Sequence, residues 1–380
     1  MVANLRPGGL RLRSAAELRC AGRIGQVRPG RPTHVWSADG APSALQITPL
    51  PLAHSAKATV MAYEVSQIDD GPFPVRAGKI LGQFIPVDLG DRRVLRPGKL
   101  LWARTVGWML ALILAVALAF GPSMEFLSQV LPDDPAAQLM AHVLGCLIIL
   151  GAYALMVRLG EDRAPGELSP KAAPFGLLAG GLLGGLTFSA VMAIMIGFRL
   201  YDFEFLGPAP AWRAVSLALE SGVFEEVLVR GIVLRLIWRG FGPWPAFIVS
   251  AVLFGAGHIG NPGATLFTAA CVAIEAGIML AAFYALTGRL WVSIGFHAAW
   301  NFTQGYLFGA AVSGGDFGSA MSRSTARSGL PDWLTGGAFG PEASLPAVAI
   351  CSMLGAAALW LAWRTGRFSK HPARQKAQPT

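Results

Sequence analysis

The residues best suited to chemistry in this chain lie where their types are costly. Glu225, Glu226 and Arg230 fall within an apolar stretch, 217–239, whose other members are mostly Val, Leu, Ile, Phe and Trp. A charged side chain at the centre of a membrane helix costs about 2.5–3.5 kcal/mol even on lenient insertion scales, so such residues persist where they pair or act. Glu226 and Arg230 are spaced i,i+4 on one helical face, the separation of a supporting ion pair. Glu225 is turned about 100° away from that face and has no local partner, which makes it the candidate base. Two further pairs follow at the same spacing, Phe254 with His258 and His297 with Asn301. Glu275 is another carboxylate inside an apolar run, and the sequence indicates no partner for it; Glu220 reads as a residue near the membrane boundary.

Each of these has a plainer role open to it. A single intramembrane histidine can serve as a hydrogen bonder between helices, and His297 with Asn301 can join helices in the same way. Taken together, though, a carboxylate, two imidazoles and an amide on three apolar helices are the groups with which water attacks an amide bond. Glu225 would take the proton of that water, while His258 shares the water and later protonates the leaving amine. His297 and Asn301 would donate to the developing oxyanion, a contribution of about 2.7–4 kcal/mol per donor. The same residues offer a second arrangement, in which Glu225, His258 and His297 hold a zinc ion with a bound water in its open position. The HExxH spacing is absent, so such a site would be assembled from separate helices. Both arrangements stand open at this level.

The elements that must position these groups are a series of apolar runs from Thr105 onward. Crossing about 30 Å of hydrocarbon takes about 17–25 helical residues, and the runs predict eight spans: 105–121, 137–157, 175–198, 212–238, 244–260, 264–286, 290–310 and 346–363. Gly255, Gly257 and Gly260 near the end of the fifth predict a close helix contact or an early break. Basic residues cluster at 92–104, between spans 2 and 3, at Arg235 and Arg239, at Arg289 and after span 8, whereas Glu125, Asp133, Asp134, Asp202 and Glu204 mark the opposite side. The positive-inside rule then puts both termini in the cytoplasm. The Gly/Ser-rich stretch 311–344 reads as a flexible loop. The expected fold class is all-α, a polytopic transmembrane helix bundle of about eight spans with a disordered or small cytosolic N-terminal extension. Its domains divide as a basic tail at 1–60 (or a mis-annotated start), a cytosolic juxtamembrane segment at 61–104 with a strand-like piece at Lys79–Val87, the helical domain at 105–364 and a basic tail at 365–380.

Composition agrees with that class. The chain has 380 residues, of which 53% are hydrophobic and 14% charged, against about 25% charged in an average soluble domain; its mean hydropathy is +0.50. The net charge of +9 comes largely from residues flanking apolar runs and from the N-terminal hundred, so it sets topology and does not signal nucleic acid. The N-terminal stretch contains no apolar h-region of a secretory signal. Cys20, Cys146, Cys271 and Cys351 show no CxxC spacing, and three of them lie in apolar runs as small buried hydrophobes.

The three motifs in order, Glu225-Glu226-x3-Arg230, Phe254-x3-His258 and His297-x3-Asn301, resemble the CPBP family of intramembrane proteases, which joins type II CAAX prenyl endopeptidases with bacteriocin-processing and immunity relatives. The resemblance covers about residues 212–305. It implies an eight-helix intramembrane fold with a cavity open to the cytosol, Glu225 and His258 as the water-activating pair, His297 and Asn301 as oxyanion stabilisers, and Glu226 with Arg230 as a supporting ion pair. The family is often labelled a metalloprotease, although a metal-free glutamate mechanism fits the same residues, and zinc stays an open cofactor. The implied partners are the lipid bilayer and a membrane-delivered peptide or protein substrate, with no nucleic acid. The alternative is a non-proteolytic scaffold or immunity protein that uses the cluster structurally. Gly, Ala and Pro richness with Arg favoured over Lys points to a high-GC bacterium, hence its inner membrane.

Overall fold

The structure is a computed structural model that describes residues 84–367. The expected N-terminal tail at 1–60, most of the 61–104 segment and the greater part of the C-terminal basic tail lie outside the described residues. Residues 84–90 run without regular secondary structure, so the end of the strand-like piece at Lys79–Val87 is not a strand. Ile85 donates its N–H to the Thr287 carbonyl, which ties this segment to the end of a helix.

Eight helical rods follow. They are α1 (Leu101–Val130), α2 (Pro135–Glu161), α3 (Ala173–Gly197), α4 (212–241), α5 (Pro243–Gly257), α6 (Leu266–Thr287), α7 (290–307) and α8 (Leu345–Arg364). Their ends follow from local chemistry. Asp134 accepts from the N–H groups of Ala136 and Ala137 with Pro135 at the first position of α2, and Thr265 and Thr268 cap α6 reciprocally. Gly242, with φ of 101°, separates α4 from α5, a conformation that a side chain would oppose.

Five of the rods are long and apolar enough to cross a membrane: α1, α2, α3 with its preceding turn, α6 and α8. This differs from the eight spans expected. α5 has 15 residues, about 22 Å at 1.5 Å per residue, and α4 carries three glutamates and four arginines. Leu114, Leu118, Leu147, Leu178, Leu182 and Leu186 are exposed along α1, α2 and α3. An apolar exterior of this kind over helices of spanning length is that of an integral membrane protein.

Three rods change pitch. α4 is α-helical over Trp212–Glu226, π-helical over Val227–Leu234 and α-helical again over Arg235–Phe241. α6 has a π segment at Ala273–Ile278 and α7 ends in one at Thr303–Leu307. Such wide turns are frequent at functional sites, and these carry Arg230, Glu275 and Gln304.

The core runs through the middle of the bundle, with Tyr153, Phe188, Trp238, Tyr284 and Phe296 fully buried. α3 packs most closely on α7. Gly176, Gly180 and Gly184 lie one turn apart on α3, and a Cβ at the latter two would strike the Val292 and Phe296 carbonyls. The backbones therefore touch without intervening side chains. This contact sets the height of His297, one residue beyond Phe296. Gly255 meets the Ala269 carbonyl in the same way, which seats the end of α5 against α6.

Two expectations change here. Residues 311–344 are not a loose loop: β2 (Ser322–Ala326) pairs antiparallel with β1 (Tyr201–Phe205) in the register Tyr201↔Ala326 to Phe205↔Ser322. Ser322 and Ser324 are buried and donate to the carbonyls of Leu307 and Phe308, so the serines are a strand's inward face. Arg235 and Arg239, counted above as loop charges, are buried. Arg235 forms two bonds to Glu161, at 2.7 and 2.8 Å, a partner supplied by α2.

Candidate active site

Glu226 is the hub of the site. Its Oε1 lies 2.7 Å from Arg230 Nη1, both side chains being fully buried, and 3.1 Å from His297 Nδ1 on α7. Arg230 Nη2 donates to the Ala276 carbonyl in the π segment of α6 at 2.8 Å, and its guanidinium lies 4.6 Å over the Phe254 ring of α5. One ion pair thus joins four helices. A buried pair of this sort is costly to desolvate, and among the described residues Glu226 Oε2 and Arg230 Nε have no hydrogen-bond partner.

Glu225 lies apart from that pair. It keeps 28% of its side-chain surface exposed, and its Oε2 is 3.8 Å from His297 Nε2, too far for a hydrogen bond. Among the described residues this oxygen has no hydrogen-bond partner. His258, just past the end of α5, uses Nδ1 to donate to the Phe254 carbonyl at 2.8 Å. A carbonyl only accepts, so Nδ1 carries the hydrogen and Nε2 is left for other partners. Asn301 gives its Nδ2 to Ser221 Oγ at 2.9 Å, which links it back to the helix that bears Glu225.

His258, His297 and Asn301 line one cavity of about 40 Å³ together with Phe254, Trp300 and Cys351. The His258 and His297 rings both pack against Phe254, with centroids 5.0 and 6.1 Å from its own. Glu225 is not among the lining residues and meets the cavity through His297. Glu275 and Glu342 also line it. Glu342 accepts from Ser313 N–H at 2.8 Å and Ser313 Oγ at 2.6 Å, and Gln304 Nε2 bonds its other oxygen.

Sequence reasoning missed Glu342 and Ser221. Glu342 sits in a Gly/Pro-rich stretch without periodicity, and nothing local marks it. Ser221 had a signal: it lies four residues before Glu225, close to the face that meets α7.

As a zinc site, the set Glu225, His258 and His297 does not present three converging donors. Among the described residues no three His, Cys, Asp or Glu side chains stand together as metal ligands. His297 Nδ1 is engaged with Glu226 and His258 Nδ1 with Phe254, which leaves the two Nε2 atoms as the ring nitrogens open to a ligand.

Residues 207–303 match the family of type II CAAX prenyl endopeptidases described as Rce1-like. The match contains all three motifs, so this stretch is similar to that family. No curated protein and no solved structure gives a significant match.

Proposed function

We propose that this protein is an intramembrane endopeptidase that hydrolyses a peptide bond of a membrane-delivered peptide or protein, with Glu225 as the base. The observation that carries this reading is the unpartnered Glu225 Oε2 beside His297 Nε2, next to an integral ion pair that keeps Glu226 out of the reaction. A single oxygen atom at about 2.8 Å, an ordinary hydrogen-bond distance, can contact both atoms across their 3.8 Å gap.

The water sits against Glu225 and gives it a proton as its oxygen bonds to the scissile carbonyl carbon. With hydrogens on both nitrogens, His297 is a cation flanked by Glu225 and Glu226, and Nε2–H donates to the new oxyanion. Asn301 is the second donor once its amide turns from Ser221 toward the cavity. The carbon–nitrogen bond then breaks, and the amine leaves with the proton that Glu225 took, passed directly or through His258 Nε2. Preorganised donors in a site without bulk water contribute most of such a rate. This path is written on the chain's own residues and uses no metal step. The native setting in this reading is a bacterial inner membrane, with both chain ends in the cytoplasm.

The test is cleavage of a quenched membrane-peptide library by purified protein, wild type beside Glu225→Gln, with and without a zinc chelator. Activity that is lost in the variant and survives chelation supports the glutamate path. Activity lost on chelation assigns a metal to the cavity. Folded wild-type protein that cleaves nothing is a scaffold or immunity protein.

A further inference from the structure

The cavity has a second polar end that the reaction above does not use. Glu275, from the π segment of α6, is 3% exposed, and its Oε2 has no hydrogen-bond partner among the described residues. Glu342, from the turn Pro341–Ala343 ahead of α8, is 4% exposed. Both line the cavity, and no lysine or arginine does.

The charges at the two ends are matched differently. His297 faces Glu226 and Glu225, and Arg230 is paired with Glu226. At the other end Glu342 receives the Ser313 N–H, the Ser313 hydroxyl and the Gln304 amide, neutral donors that favour a carboxylate without cancelling its charge. Only His258 among the lining residues can bring a positive charge there. Glu275 lines the same cavity from α6 with an oxygen left over.

A buried polar atom without a partner costs free energy that a ligand can return by bonding it. Two carboxyl groups in a cavity that also presents aromatic and aliphatic side chains match a cation on a flexible apolar stem. Lysine and arginine side chains have that form. Phe254, Met279 and Trp300 line the same chamber and offer surface for the stem.

Resting on the protease reading above, we infer that Glu275 and Glu342 form a specificity subsite that takes a lysine or arginine side chain of the substrate, close to the bond cut at His297 and Asn301. The subsite orients the peptide and takes no part in the bond change.

The test uses the full chain in detergent and two fluorescent membrane peptides that are identical except for one lysine or one norleucine. Binding is read by anisotropy on wild type, Glu275→Gln and Glu342→Gln, with folding followed by thermal melting. Wild type is expected to bind the lysyl peptide about ten-fold more tightly, the size of one hydrogen bond to a charged group. Each glutamine variant is expected to bring the two peptides to within about two-fold of each other. Equal binding of the two peptides to wild type overturns the proposal, whether or not the variants fold. Retention of the lysyl preference in both folded variants overturns it too. Cleavage is scored separately against Glu225→Gln: a lysyl preference without cleavage is a failure of the protease reading alone, and cleavage without the preference is a failure of the subsite alone.

Discussion

His297 and Glu226 are joined across two helices, Nδ1 to Oε1, at 3.1 Å. Because the carboxylate accepts, His297 holds its hydrogen on Nδ1, and Nε2 is aimed away from the ion pair toward Glu225. The consecutive glutamates of α4 therefore have separate tasks. One is fully buried, orients the imidazole and anchors Arg230, and the other stands outside the ion pair and is partly exposed.

That division predicts different outcomes for two similar changes. Glu225→Gln removes the base from a side chain that is 28% exposed and has an unbonded oxygen. Cleavage is expected to fall by at least about a hundred-fold, the lower end of what a positioned base supplies, with a melting temperature close to wild type. Glu226→Gln leaves Arg230 buried beside a neutral amide, and losing one partner of a buried pair costs about 3–5 kcal/mol. Its melting temperature should drop clearly. A Glu225 variant as unstable as the Glu226 variant would refute the division of labour.

Asn301 and Ser221 supply a second check. The Asn301 amide is held by Ser221 Oγ in this state and has to turn to meet an oxyanion. Ser221→Ala should cost about 0.5–1.5 kcal/mol of stability, the worth of one hydrogen bond, while cleavage continues. Asn301→Ala should lower kcat by about a hundred-fold with KM little changed. If Ser221→Ala and Asn301→Ala reduce kcat equally, the serine acts in the reaction as well.

Much of this site could be read from residue spacing. The i,i+4 pairs at 226/230, 254/258 and 297/301 each place two side chains on one face, and helices follow from the apolar runs alone. What could not be read depended on partners remote in the chain. Arg235 resembles a topology-setting charge until Glu161, from another helix, is found against it. Residues 311–344 resemble a flexible loop because glycine and serine dominate them, yet alternate serines of β2 point inward. Glu342 enters the cavity through that same segment. The glycines at 176, 180 and 184 were a visible small-residue repeat, and their partner helix was not.

Those glycines lead to a prediction at a distance from the chemistry. A methyl at Gly180 or Gly184 would press on the backbone of α7 at Val292 or Phe296, and overpacking of this kind costs about 1–3 kcal/mol. The strain falls directly before His297. Gly184→Ala should therefore lose more activity than its stability loss explains, whereas Gly151→Ala, with open space at that position, should leave both unchanged. Activity assays beside melting curves in one detergent decide this. Equal behaviour of the two variants would remove the claim that α3 sets the height of His297.

The last prediction concerns pH and the loop between α2 and α3. Glu167 is buried there and receives two bonds from Arg163, each 2.8 Å, and one from the Tyr153 hydroxyl at 2.5 Å. Burial alone would push its carboxyl up, but the Arg163 bonds and charge outweigh this and hold it at about 2, below the ordinary 4.5. A carboxylate whose folded value lies below its unfolded one contributes stability that is present in full above the unfolded value. That contribution is lost as the pH falls from about 4.5 toward about 2. The melting temperature of wild type should accordingly fall on acidification below about pH 4.5. Glu167→Gln cannot ionise, so it should begin lower at neutral pH and lose less over the same interval. The two melting curves should converge toward the acid end. Parallel curves with a constant offset would mean that the Arg163 pairing contributes nothing through the charge of Glu167.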